Sequence, residues 1–234
     1  MPGITATITA FILTILFLLV KPVVVRGYPR SGSKTLHLIS GFSLVKLSGV
    51  VLFGVMPFLV LLSSGIDPAA YGLQKGNNAG YWYLFICLPL LIVTISAFAS
   101  HNKETLNLYP DLKFRTWTPG RLTVLTAGWL LYLAAYEFLF RGFLFFSCFY
   151  SFGFTAAAII NIVLYSLAHI PKGLKETAGA IPFGLLLCWI AWLTGSIWLP
   201  LIAHLSLALS TQYFAIYHHP EMKFCWSVKS SKIL

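Results

Sequence analysis

The chain has 234 residues, 58% of them hydrophobic and only 9% charged, with a formal net charge of +10. A soluble domain of this length needs far more polar surface, so the composition excludes a soluble globular protein and points to an all-α, polytopic membrane helix bundle. The positive balance does not indicate a nucleic-acid partner, because the basic residues gather in particular loops between apolar runs.

The N-terminal stretch "MPGITATITAFILTILFLLVKP" is near full spanning length. It has no basic leader and no A-x-A cleavage site, so a retained helix is expected rather than a signal peptide. Six further apolar segments follow near 43–64, 81–100, 122–150, 154–170, 178–194 and 198–217. The expectation is about seven transmembrane helices. The 122–150 segment is too long for one perpendicular span and must tilt, kink or run partly along the interface. Gly27, Gly32, Gly41, Pro119, Gly120, Pro171, Gly173 and Gly195 punctuate the connections. The chain divides into N-terminal membrane helices (1–119), a core (120–217) and a short basic tail (218–234) expected to pack poorly, all within one membrane domain.

Lys21, Arg26, Arg30, Lys34 and Lys46 fall between the first two helices. Lys103, Lys113, Arg115 and Arg121 fall between the third and fourth, and Lys172 and Lys175 follow the fifth. Lys223, Lys229 and Lys232 lie in the tail, while the alternate side has Lys75 and little else. This is the positive-inside pattern, with the N-terminus out and the C-terminus in, and the basic loops are expected to meet anionic lipids. The four cysteines, Cys87, Cys148, Cys188 and Cys225, form no C-x-x-C, which argues against a disulfide framework or a thiolate zinc site.

Of the six acids, Asp67, Glu104, Asp111, Glu176 and Glu221 fall in loops or tail, and Glu137 alone lies in a span. Three ionisable side chains thus stand out as candidates for chemistry: Glu137 in "YEFLFRG", His169 closing "NIVLYSLAH", and His204 in "SIWLPLIAHLSLALS". Arg141 is one helical turn from Glu137 and on the same face. Such groups are expensive in a bilayer unless paired or used. Each has a structural reading: an ion pair for Glu137 and Arg141, a helix C-cap for His169, interhelical hydrogen bonding for His204. Together, a carboxylate and two imidazoles can polarise a water and stabilise an oxyanion, or form a His-His-Glu zinc set with an open position. A small transporter or proton relay could use the same groups, but no internal repeat supports one.

The spacings resemble those of the CAAX protease and bacteriocin-processing family of intramembrane peptidases. "YEFLFRG" resembles its E-E-x-x-x-R-G signature, "YSLAH" (Tyr165 to His169) its F-x-x-x-H motif, and "TGSIWLPLIAHLSLA" its H-x-x-x-N helix. The resemblance implies an intramembrane endopeptidase acting on a membrane-associated peptide or protein. It implies Glu137 and His169 activating water, Arg141 holding the glutamate, and His204 at the oxyanion. Two positions depart. Tyr136 stands at the family's first glutamate, and Ala208 at its asparagine. Tyrosine is no base near neutral pH. Either Glu137 takes over as base, or the chain is an inactive relative that binds a membrane peptide or partner. Thr211, near the same face as His204, is a candidate replacement for part of the lost amide.

The family's chemistry can be written without metal, and a metal-independent reaction is expected. The zinc alternative would draw on Glu137, His169 and His204. A multi-pass location in a plasma membrane, that of a bacterium by resemblance, is expected. Catalysis requires Glu137 and His169 close enough to share one water. Residues 121–131 are therefore expected to run obliquely, bringing Glu137 into the inner leaflet.

Overall fold

The computed structural model describes residues 3–27 and 34–226. Arg30, Gly32, Lys229 and Lys232 lie outside the described residues. All seven apolar segments read from the sequence are helical. Five helical stretches are long and apolar enough to cross a membrane: Gly3–Val23, Thr35–Ser63, Pro119–Lys172, Leu174–Thr194 and Trp198–His218. Leu84–Ala99 is apolar but shorter. Outward-facing Ile8, Leu19, Leu90, Phe98, Leu131 and Ile159 give the bundle the apolar exterior that lipid requires.

Helix α1 (Gly3–Gly27) leads to α2 (Lys34–Gly49), which runs through a π-helical turn at Val50–Val55 into α3 (Met56–Ser63). The wide turn comes just before Pro57, whose nitrogen cannot donate to the helical ladder. Helix α4 (Leu84–Ala99) packs on α9 (Trp198–His218). A short α5 (Lys103–Leu108) starts at Asn102, whose side chain accepts from the Glu104 N–H at 3.1 Å.

Helix α6 (Pro119–Glu137) is uninterrupted. Thr118 caps it and Pro119 opens it, the expected chemistry of a helix start. A second π-helical segment, Phe138–Leu144, joins α6 to α7 (Phe145–His169). Within α7, Gly153 adopts φ 80° and ψ 177° and breaks the helix, close to the boundary expected between 150 and 154. The chain then folds back, and the Asn161 side-chain amide donates to the Phe140 carbonyl at 2.5 Å. Helix α8 (Leu174–Thr194) packs against α7, approaching Tyr165 at Gly184, where a Cβ would lie 3.0 Å from the ring.

Two features correct the sequence reading. Thr116–Trp117 (β1) pairs in parallel with Lys223–Phe224 (β2), so the start of the tail is bound to the segment ahead of α6. Trp117 is fully buried and its indole N–H points at Met222 Sδ, 3.4 Å away. The pairing joins residues more than a hundred positions apart and has no local signature. Lys46, read as a loop cation, lies inside α2 and is buried. The main buried core runs from Phe17 on α1 through Phe53 and Phe140 to Tyr165, and Ile92, Leu187 and Ala203 form a smaller separate cluster.

Candidate active site

The site forms where the end of α6, the π-helical segment, the end of α7 and the middle of α9 meet. Wider π-helical turns recur at functional sites because they re-aim side chains. Here the wide segment begins one residue after Glu137 and contains Arg141.

Glu137 and Arg141 are both fully buried. Arg141 Nε lies 3.4 Å from Glu137 Oε2, and its Nη1 lies 3.5 Å from Oε1. The guanidinium carbon stands 4.2 Å from the centre of the Tyr165 ring, a cation–π contact in a water-poor setting. His204 Nδ1 lies 2.5 Å from Glu137 Oε1. A carboxylate paired with Arg141 accepts this hydrogen bond, and Nδ1 then carries the proton. His169 Nδ1 donates to the Tyr165 carbonyl at 2.8 Å, because a carbonyl can only accept. Both rings are thus fixed in the same tautomer, with Nε2 left as the lone-pair nitrogen. Neither Nε2 has a protein partner among the described residues.

Two cavities flank the histidines. The larger, about 470 Å³, is bordered by Tyr136, His169 and His204 together with aromatic and basic side chains of α1, α2 and α6. The smaller, about 320 Å³, is bordered by Tyr165, His169, His204, Ala208 and Thr211. Glu137 borders neither cavity. Tyr136 does, and its ring centre lies 5.8 Å from that of His204 and 6.5 Å from that of His169. Its enclosed hydroxyl has no hydrogen-bond partner among the described residues.

The sequence-derived residues therefore gather at one place with distinct positions. His169 and His204 face open space, Tyr136 lies near both rings, and Glu137 and Arg141 stand behind His204. Tyr165 covers the guanidinium. Ala208 faces the smaller cavity one turn after His204, as the third motif requires, and supplies no donor there. Thr211 borders the same cavity, but its hydroxyl donates to the Leu207 carbonyl at 2.8 Å, so it offers only lone pairs. Among the described residues no three or more His, Cys, Asp or Glu side chains form a group placed to hold a metal ion. The Glu137 oxygen nearest His204 is already engaged by that ring.

Three contributors escaped the sequence reading. Asn161, alone among apolar residues in "IINIV", holds the π-helical segment through Phe140; its polarity in a span was the available signal. Trp129 borders both cavities and lies under the Lys46 ammonium, 3.1 Å from the ring centre. Gln212, fully buried on α9, accepts from the Asp111 N–H at 2.8 Å and donates to Asp111 Oδ1 at 3.2 Å. Asp111 in turn meets Lys46 at 3.5 Å. These pairings depend on tertiary neighbours.

Residues 117–210 match the family described as Rce1-like, type II CAAX prenyl endopeptidase Rce1-like. The matched segment runs from β1 through most of α9 and contains all seven sequence-derived site residues except Thr211. It agrees with the resemblance carried by the three motifs. No curated protein and no solved structure matches the chain.

Proposed function

We propose, from the premise that residues 117–210 are a segment of the type II CAAX prenyl endopeptidase kind, that this chain is an integral membrane endopeptidase which hydrolyses a membrane-associated peptide beside His169 and His204. The observation that carries the proposal is the Glu137–His204 pair behind a cavity that His169 also borders. A carboxylate on Nδ1 fixes the tautomer and supports positive charge on the ring once Nε2 takes a proton. On this reading His204 Nε2 removes the proton from water, and the oxygen attacks the peptide carbonyl. The same nitrogen then returns the proton to the leaving amine. His169 Nε2 accepts from the water's other hydrogen and orients it. Glu137 is a positioning residue acting through His204, and Arg141 keeps it ionised and in place. The Tyr136 hydroxyl is the unspent donor beside both rings and serves the oxyanion. No step calls for a metal.

The test is cleavage of a membrane-peptide library by the purified, detergent-solubilised chain, with products read by mass spectrometry. Defined new termini are expected, and they should vanish in His169→Ala and His204→Ala. Products unchanged in both variants would overturn the reading.

One observation favours a second reading. Tyr136 takes the cavity-facing place of the family's first glutamate, and Glu137 is closed off. A chain built this way can bind a peptide without cutting it. Saturable binding of library peptides, with no products from wild type, would select that reading.

A further inference from the structure

The larger cavity carries charge that the hydrolysis does not use. Lys46 borders it from α2, on a residue only 8% exposed. Its ammonium lies over Trp129, with Tyr132 4.7 Å away. Asp111 is its only carboxylate partner among the described residues, at 3.5 Å, and Gln212 shares that carboxylate. An ammonium has three donors to place, and among the described residues no protein acceptor comes into closer range. Lys21 and Lys172 border the same cavity, and neither has a carboxylate partner among the described residues. Three lysines thus face one acid across aromatic and aliphatic walls, a setting that favours an anion.

We propose that Lys46 is a specificity-determining residue that binds a carboxylate carried by the peptide substrate, with Lys172 as its neighbour. The inference rests on the peptidase reading for its occupant. The cavity that holds the ammonium also borders Tyr136, His169 and His204, so one peptide can place an anion at Lys46 and a bond at the histidines. Lipid phosphate would suit the lysines but bring no peptide bond. Lys46 and Lys21 lie outside residues 117–210, so the selectivity is carried by the N-terminal helices and not by the matched segment. The carboxylate can belong to an acidic side chain or to a free C-terminus.

The experiment uses the full chain in detergent and three dansyl-labelled peptides of one leucine–alanine sequence. One has a free carboxyl end, one an amidated end, and one an amidated end plus an internal glutamate. Binding is read by fluorescence and cleavage by mass spectrometry. At least one carboxylate-bearing peptide should bind about tenfold tighter than the neutral amide, the scale of a charge-assisted hydrogen bond. Whichever one does identifies the carboxylate's source. The preference should shrink to about twofold or less in Lys46→Met and survive in Lys46→Arg, since only the cation is removed in the first. Asp111→Asn frees the ammonium and should tighten acidic peptides, which keeps the test decisive if Lys46→Met fails to fold. Equal wild-type affinity for all three peptides, an undiminished preference in folded Lys46→Met, or weaker acidic binding in Asp111→Asn would overturn the proposal. Preference without cleavage would sink the peptidase reading and leave Lys46 standing. Cleavage without preference would do the reverse.

Discussion

Glu137 Oε1 and His204 Nδ1 lie 2.5 Å apart, across 67 residues of sequence and two fully or nearly fully buried side chains. That contact ties α6 to α9 and sets which imidazole nitrogen is left for the cavity. On the proposed mechanism Glu137 works through His204.

Replacing Glu137 with glutamine keeps the shape, removes the charge, and strands Arg141. The variant should lose about 3–5 kcal/mol of stability, the cost of breaking a buried pair. Adding Arg141→Leu removes the stranded cation and should restore much of the melting temperature. Cleavage should stay lower by a factor of about 10⁴, the scale on which a triad suffers when its tautomer-fixing carboxylate is lost. Thermal melting and peptide cleavage on the same solubilised double variant decide the matter. Cleavage that returns with stability would mean the pair serves packing alone.

Tyr136→Phe separates chemistry from structure at the family's first-glutamate position. The hydroxyl has no partner to lose, so the melting temperature should hold or rise slightly. If the hydroxyl serves the oxyanion, kcat should fall by about 10²–10³ with KM little changed. An unchanged kcat would remove Tyr136 from the mechanism. Tyr136→Glu, which restores the motif, should raise hydrolysis if the native chain binds peptides without cutting them.

Gly153→Ala tests the break in α7. The added methyl meets nothing within 4 Å, so the cost is purely of the backbone. Near φ 80° and ψ 177°, alanine should destabilise by about 1–3 kcal/mol. A melting temperature equal to wild type would show that the turn adapts without strain.

A strong chelator should leave cleavage unaltered, because Glu137, His169 and His204 form no metal-ligating cluster among the described residues. Inhibition that zinc alone reverses would reinstate the zinc set.

The membrane helices were legible in the sequence because lipid imposes a demand that composition answers locally. A run of apolar residues of spanning length has few alternatives to helix. The break near Gly153 was legible as the gap between two apolar segments. The β1–β2 pairing was not, since two strands of two residues leave no periodicity to detect. The clustered ionisable residues were legible for a related reason. Ionisable groups are so costly in a span that Glu137, Arg141, His169 and His204 stood out, and their order matched a known set of motifs.

By itself, the sequence determined that this protein is a helical membrane bundle and which polar side chains its core must accommodate. Tertiary structure decided which of them meet open space. Tyr136 and Glu137 are neighbours, and one residue step turns about 100° around an α-helix. Whether the phenol or the carboxylate borders the cavity depends on how α6 is rotated against α7 and α9, and on the wide turn that begins at Phe138. The same holds for Lys46, whose charge read as a loop signal until Asp111, Trp129 and Gln212 came together around it. Burial and pairing depend on neighbours distant in sequence, which composition and local spacing do not specify.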